Sequence, residues 1–190
     1  MFACLSGFAP QAANLHGFIA ARNHEWGKEN SWTQRPMGTY SPLVDLMGHP
    51  DLGEKTVLFM LDGLYVAHHQ SAEVSNASRW QASPFNQGWP SSLFLSEDGV
   101  AIDSVGVDFL RNEPTILSLP DVMPPQSTCD NYLHEAAQAN RPRSGTLYDP
   151  QGKGQALPSL GVHEHWRDAA KREYARNLGA REGIELVQVA

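Results

Sequence analysis

Cysteine is scarce in this sequence, and its scarcity excludes several kinds of chemistry. Cys4 and Cys129 are the only two cysteines among 190 residues. A cysteine-ligated iron–sulfur cluster needs about four such ligands, and a disulfide scaffold needs several pairs. We therefore predict two separate buried or idle thiols, and a single disulfide between them stays open as an alternative.

Long hydrophobic runs and clusters of basic residues are also missing. No window approaches the roughly 18 uninterrupted apolar residues that a membrane-spanning helix needs, and the first residues lack the basic segment of a secretory signal. The formal net charge of −7 disfavours binding to a nucleic-acid backbone. These absences predict a cytoplasmic protein without membrane or nucleic-acid partners.

The common catalytic motifs do not occur either. The chain has no Gly-x-Ser-x-Gly elbow and no Gly-x-Gly-x-x-Gly turn, and residues 152–154 (GKG) lack the rest of a phosphate loop. In the segment at 134–138 (HEAAQ), Gln138 stands where the helix motif of zinc proteases requires a second histidine. Serine, nucleotide, kinase and zinc-protease chemistry are therefore disfavoured.

What the sequence does contain is an alternation of strand and helix patterns, which predicts one α/β domain. Residues 56–61 (TVLFML) form a continuous apolar run, typical of a strand buried on both faces. Such a strand favours a mixed, mainly parallel sheet with helices on its faces and long irregular loops. Because few segments remain to cover this sheet, we predict self-association into a homo-oligomer. The other predicted elements are strands over residues 15–21 and 184–189, helices over 41–48, 130–139 and 166–177, and a long loop or lid over 68–90.

The most informative segment covers residues 91–110, where a short strand pattern leads into a helix that carries aspartates. Asp98 occupies the junction between strand and helix, which is the position of an N-cap. Apolar residues follow two stripes of the helix, so we expect the helix to be packed on two sides. Asp103 lies in one of these stripes, where an ionised carboxylate needs a cation, a metal or several hydrogen-bond donors.

Asp62, Asp98 and Asp103 form the candidate catalytic and metal-binding site. Asp62 and Asp98 each follow a predicted strand, so both are expected at the same edge of the sheet, with Asp103 about one helical turn beyond. Carboxylates gathered there would need a divalent cation, and an all-oxygen ligand set suggests Ca²⁺, Mg²⁺ or Mn²⁺. Such an ion lowers the pKa of bound water and favours hydrolysis. The alternative is that these aspartates are caps and buried anchors.

A histidine pair offers a competing metal site. His163 and His165 are two residues apart, so in an extended segment both face the same side, as paired ligands of Zn²⁺ must. No third ligand is evident in the sequence. The alternative interpretation is a solvated loop, or a His165 side chain that is hydrogen-bonded beside Trp166. Zn²⁺ is therefore the less favoured ion at this stage.

Several short motifs follow one another along the chain: AARNHEWG at 20–27, LVDLMGH at 43–49, LDGLY at 61–65, SPFN at 83–86 with Trp89, the 91–110 segment, SGT at 144–146 with YDP at 148–150, GVHEHW at 161–166, and YARNLG at 174–179. In these motifs the chain resembles the C-terminal half of bacterial proteins that carry the domain of unknown function 362. The resemblance implies a single α/β domain over residues 14–190, preceded by an unmatched segment over 1–13, without the N-terminal portion that family members usually have.

The resemblance also implies further site residues. Arg22 and Asn23 stand where the family commonly has Lys-Asn, and they would orient an anionic or carbonyl oxygen of a substrate. An arginine at this position disfavours a lysine-type general base or Schiff base. Some family members are associated with iron–sulfur clusters, but the cysteines for such clusters are missing here. Redox chemistry is therefore not expected.

Taken together, the sequence predicts a metal-dependent hydrolase that acts on a small ester, lactone or phosphoester. Asp62, Asp98 and Asp103 would hold the metal or activate water, and the loop over residues 68–90 would cover the small-molecule substrate. The alternative is a noncatalytic binding or assembly module derived from a larger family domain.

Overall fold

The computed structural model describes residues 37–66, 73–114, 128–174, 178–179 and 182–189. The strand predicted over 15–21, together with Arg22 and Asn23, lies outside these residues. Within them the fold combines helices with short strands, so the prediction of a mixed α/β class is confirmed at this coarse level. The elements are α1 (Pro42–Gly48), β1 (Phe59–Gly63), β2 (Ser92–Ser96), α2 (Gly99–Asn112), α3 (Thr128–Ala137), β3 (Val162–His163) and β4 (Leu178–Gly179).

The strands form two antiparallel pairs, which corrects the prediction of a mainly parallel sheet. β1 pairs with β2 in a register that places Leu61 opposite Phe94, and β3 pairs with β4. The reason is that the apolar run at 56–61 has the pattern of a strand buried on both faces, although only one face is covered. In the structure, burial alternates along β1, because Phe59 and Leu61 are buried whereas Met60 is exposed. One covered face is typical of an antiparallel pair.

Helix α2 is the central element of the described fold. It contacts β1, β2, β3 and α3, and most of its side chains are buried, so the predicted helix packed on two sides is confirmed. The ring of Phe109 lies 5.6 Å from that of Phe85, 5.4 Å from that of Phe94 and 5.0 Å from that of Trp166. Burial of one such apolar side chain contributes about 1.5 to 3 kcal/mol, so these contacts fix the helix against the strands.

Helix α1 is confirmed where the sequence predicts it. Ser41 has the extended backbone of an N-cap residue, and Pro42 occupies the first turn, where a missing N–H costs nothing. Helix α3 packs against α1 and starts two residues before its predicted beginning. From α3, the buried Glu135 carboxylate accepts hydrogen bonds from the hydroxyl of Tyr148 at 2.8 Å and from the backbone N–H of Ser144 at 3.0 Å. These bonds attach the following loop to the helix.

Two predicted elements near the C terminus do not form. The helix expected over 166–177 is replaced, in its described part, by a turn in which Asp168 and Glu173 form an isolated bridge. Its apolar stripe was weak, so no helical face was available for packing. Residues 184–189, predicted as an edge strand, have no regular structure. In the described part of the chain, the helices are all too short or too polar to cross a membrane.

Candidate metal centre

Asp98 is the N-cap of α2, as its position predicts. Its Oδ1 accepts hydrogen bonds from the backbone N–H groups of Val100 at 2.9 Å and Ala101 at 2.8 Å. Its Oδ2 accepts from the backbone N–H of Val162 at 2.9 Å, which attaches the start of β3 to the helix. Burial raises the pKa of this carboxyl against the lowering effect of the three donors. Both oxygens therefore satisfy backbone groups.

Asp62 and Asp103 have different surroundings from Asp98. The Oδ1 of Asp62 accepts from the backbone N–H of Leu64 at 2.8 Å in an exposed turn. Asp103 is buried, and its Oδ2 accepts from the hydroxyl of Tyr132 at 3.2 Å. The contact of Asp62 therefore stabilises a turn, and that of Asp103 holds its carboxylate in the core.

Antiparallel pairing explains why Asp62 and Asp98 do not converge. Asp62 lies opposite Leu93 near the start of β2, whereas Asp98 follows the far end of that strand beyond Ser96. Ser96 comes three positions after Leu93, which is about 10 Å along the strand at about 3.3 Å per residue. Parallel strands would have placed both aspartates at one edge. Among the described residues, the group whose potential ligand atoms meet is a different one.

Asp130, His163 and His165 form that group, which we call the Asp-His-His centre. One possible ligand atom from each residue lies within 4.8 Å of the others. Asp130 is in the first turn of α3, His163 ends β3, and His165 follows two residues later. Asp130 and His163 are buried, and His165 is exposed. The structure therefore brings together the two histidines singled out by their spacing and adds Asp130 as a third candidate ligand that the sequence did not reveal.

Two ligand atoms of the Asp-His-His centre are close to the separation found around a tetrahedral ion. Asp130 Oδ1 and His165 Nε2 are 3.1 Å apart. Ligands that surround Zn²⁺ tetrahedrally at about 2.0 to 2.1 Å are separated from one another by about 3.3 to 3.4 Å. A shift of a few tenths of an ångström would therefore let these two atoms share an ion.

A buried carboxylate orients His165 toward the centre. The Oδ1 of Asp108 lies 2.7 Å from Nδ1 of His165, and its Oδ2 accepts from the backbone N–H of Trp166 at 2.9 Å. With Nδ1 held by Asp108, Nε2 is the nitrogen that faces Asp130. Carboxylates commonly support metal-binding histidines in this way. Hydrogen bonds to Asp108 and Asp130 raise the pKa of His165 to about 9.

Ser104 orients the second histidine. Its hydroxyl donates to the carbonyl oxygen of Val100 at 2.7 Å and lies 2.8 Å from Nδ1 of His163. Because the hydroxyl proton is used by Val100, Nδ1 of His163 is the donor in the second bond, and Nε2 keeps its lone pair. Burial lowers the pKa of His163 well below its usual value, so the ring is neutral. Ser104 itself is fully buried, which rules it out as a nucleophile for an outside substrate.

Arg111 and His134 complete the surroundings. The guanidinium of Arg111 donates from Nη1 to Asp130 Oδ1 at 2.8 Å and from Nη2 to Asp130 Oδ2. Burial raises the pKa of Asp130, but hydrogen bonds from His165 and Arg111 outweigh burial and hold that pKa below its usual range. The ring of His134 lies 4.8 Å from that of His163, and burial lowers its pKa.

Sequence reasoning missed Asp130, although a signal for it was present. Asp130 and His134 are four residues apart on α3, a spacing that places both side chains on one helix face. The protease motif extends from His134 toward the C terminus, whereas the acidic partner lies one turn earlier. Asp108 and Arg111 are three residues apart on α2, a spacing that likewise places both side chains on one helix face.

Comparison with known proteins adds no relative from which a role could be transferred. The resemblance to the domain of unknown function 362 therefore stays a prediction, and a function has to be argued from the Asp-His-His centre. No family model, no curated protein and no solved structure matches the chain.

Proposed function

We propose that the protein binds one divalent transition-metal ion through Asp130, His163 and His165 and uses it to hydrolyse a small ester, lactone or phosphoester. The observation that carries the proposal is the approach of three ligand atoms to within 4.8 Å of one another. Two imidazole nitrogens and one carboxylate oxygen suit Zn²⁺, whereas Ca²⁺ and Mg²⁺ prefer oxygen ligands alone. The donor set thus favours Zn²⁺ over the ions suggested by the aspartates.

The exposure of His165 supports a catalytic role in preference to a purely structural one. Its side chain is 40% exposed, whereas that of Asp130 is 6% exposed. Structural zinc sites are closed by four protein ligands, whereas catalytic sites have three and leave one position open. A bound zinc ion would supply a polarising charge and lower the pKa of water at that position. The exposure of His165 would leave one side of the ion accessible to water and substrate.

The chain's own residues would then hold the ligands and their protons in place. Once an ion replaces the proton on Nε2 of His165, Asp108 would hold the remaining proton on Nδ1, and Ser104 accepts from Nδ1 of His163 in the same way. His134 is a neutral imidazole at the edge of the centre, since burial lowers its pKa, and it is available to accept a proton. Arg22, Asn23 and the loop residues 67–72 lie outside the described part of the chain and carry no step of this proposal.

Metal content tests the proposal that the chain binds one zinc ion. Protein stripped with a chelator and reloaded with Zn²⁺ should hold about one ion per chain after gel filtration, determined by mass spectrometry of the metal. Asp130→Asn and His165→Ala should lower that content, because each removes one ligand. Asp62→Asn is the matched control, since its carboxylate caps an exposed turn. Loss of metal in the control variant with retention in Asp130→Asn would contradict the assignment.

Hydrolysis assays test the proposed activity on an ester, lactone or phosphoester. The zinc-loaded protein should cleave at least one of three chromogenic probes, namely an aryl ester, an aryl phosphate or a small lactone. Chelation should abolish the activity, and Asp130→Asn should remove it to the same degree. If the ion binds at the expected stoichiometry and all three probes remain intact, the hydrolase assignment fails. The site then supports the alternative of a noncatalytic metal-binding module.

A further inference from the structure

The charges around the Asp-His-His centre change when an ion binds. Asp130 and Asp108 each contribute one negative charge, Arg111 contributes one positive charge, and coordinated histidines are neutral. A divalent ion placed among these groups leaves the centre with one net positive charge. A low-dielectric surrounding strengthens the attraction of such a charge for an anion. Both carboxylates and His163 are buried, so the side of the centre that faces the protein interior has a low dielectric.

Arg111 and a metal ion would compete for the same carboxylate oxygen. Arg111 Nη1 lies 2.8 Å from Asp130 Oδ1 and 3.5 Å from His165 Nε2, the two atoms proposed to share the ion. An ion shared by these two atoms would repel the positively charged guanidinium. It would therefore displace Nη1 from Oδ1. The guanidinium, which is 23% exposed, would then lie beside the ion, close enough to donate to an oxygen of a ligand bound there.

We infer that the metal-loaded centre binds an anionic oxygen ligand, a phosphate or carboxylate group, with one oxygen on the ion and another on Arg111. This inference rests on the proposed metal site and names the class of substrate that the site takes. The charged N–H groups of a guanidinium suit an oxygen of either group. Access exists on the outer side, where the side chain of His165 is exposed and that of Arg111 is 23% exposed. Among the substrates considered above, the inference favours an anionic ester or a phosphoester.

Calorimetric titration with inorganic phosphate and with acetate tests the inference. Zinc-loaded protein, freed of excess ion by gel filtration, should bind at least one of the two probes, whereas chelator-treated protein should bind it at least ten-fold more weakly. Binding of phosphate alone would identify a phosphate-type ligand, and binding of acetate alone would identify a carboxylate. Equal affinity of the loaded and the metal-free protein for both probes would overturn the inference.

Arg111 variants separate direct contact with the anion from support of the fold. Arg111→Gln should weaken anion binding at least ten-fold while zinc affinity stays the same or increases, because a competitor for Asp130 is removed. Arg111→Lys, which keeps the charge but loses the planar fork, should give an intermediate loss and is the second variant if the first does not fold. Arg79→Gln is the matched control, since Arg79 stacks on Trp89. Unchanged anion binding in both Arg111 variants would contradict the proposed contact.

The two proposals fail in distinguishable ways. If no zinc is retained by the wild-type chain, the metal site itself is wrong and the inference falls with it. If zinc is retained and neither probe binds, the metal site stands and the anion inference alone is overturned.

Discussion

At the scale of single residues, Asp108 should control how well His165 binds a metal. Asp108 accepts from Nδ1 of His165 and so presents Nε2 to the ion. Removal of such a supporting carboxylate typically weakens metal binding about 10-fold to 100-fold. Asp108→Asn should therefore lower zinc affinity by that factor in competition with a chromogenic chelator. Asp51→Asn, at an exposed surface ion pair with Lys55, should leave the affinity unchanged. A normal affinity in Asp108→Asn would exclude this role.

The protonation of His165 also predicts how stability depends on pH in the metal-free protein. The pKa of His165 is raised to about 9 from 6.5 by its hydrogen bonds to Asp108 and Asp130. A raised folded-state pKa means that the folded protein binds the proton more tightly than the unfolded chain does. Its contribution to stability is therefore complete below pH 6.5 and is lost as pH rises toward about 9.

Urea unfolding in the presence of a chelator tests this dependence between pH 6 and pH 9.5. We expect the free energy of unfolding of the wild type to fall across that interval. The fall should be smaller in His165→Gln, which cannot take up a proton. Identical slopes in the two proteins would show that another group is responsible.

The site was partly predictable at this scale, for a reason that depends on sequence distance. The spacing of His163 and His165 is local, and it was enough to single them out as a pair. Asp130 joins them across 33 and 35 residues, because α3 packs against β3. No local sequence pattern predicts the contact of Asp130 with these histidines. The aspartate site depended on strand direction instead, and an antiparallel pairing separates Asp62 from Asp98.

At the scale of elements, the cap of α2 is predicted to be structural. Asp98 accepts two bonds from the first turn of the helix and a third from Val162. Loss of a capping side chain typically costs about 1 to 2 kcal/mol, so Asp98→Ala should lower the free energy of unfolding by about that amount. The same variant should retain zinc, since Asp98 is not a ligand in our proposal. A variant of normal stability that no longer binds metal would revive the aspartate site.

Helices were more predictable than strands in this chain, because their signals are local. Ser41 with Pro42, and Asp98 at its junction, mark helix starts that the structure contains. The run at 56–61 contains no such information about its partner strand, and its continuous apolar residues predict burial on both faces. Contacts with β2 and α2 decide which residues of β1 are covered, and the β1–β2 pairing joins residues 29 to 37 positions apart, from Gly63–Ser92 to Phe59–Ser96.

At the scale of the whole molecule, one face of the β1–β2 pair remains uncovered by the described residues. Met60 and Leu95 lie opposite each other on that face, and both are exposed, while the other face packs against α2. Apolar sheet surfaces and open strand edges favour association with another chain. Self-association, which the sequence predicts, therefore stays a prediction with a defined surface to examine.

Light scattering at micromolar concentration tests the prediction of self-association. We expect a mass that is a multiple of the 20.9 kDa chain, because burial of Met60 and Leu95 against a second copy removes apolar area from water, which contributes about 25 cal/mol per Å². Leu95→Glu should shift the mass toward the monomer. Leu147→Glu is the matched control, since both leucines are 59% exposed and Leu147 lies outside the strand pair. A wild-type protein that is monomeric throughout this range would refute self-association, and equal effects of the two substitutions would place the contact elsewhere.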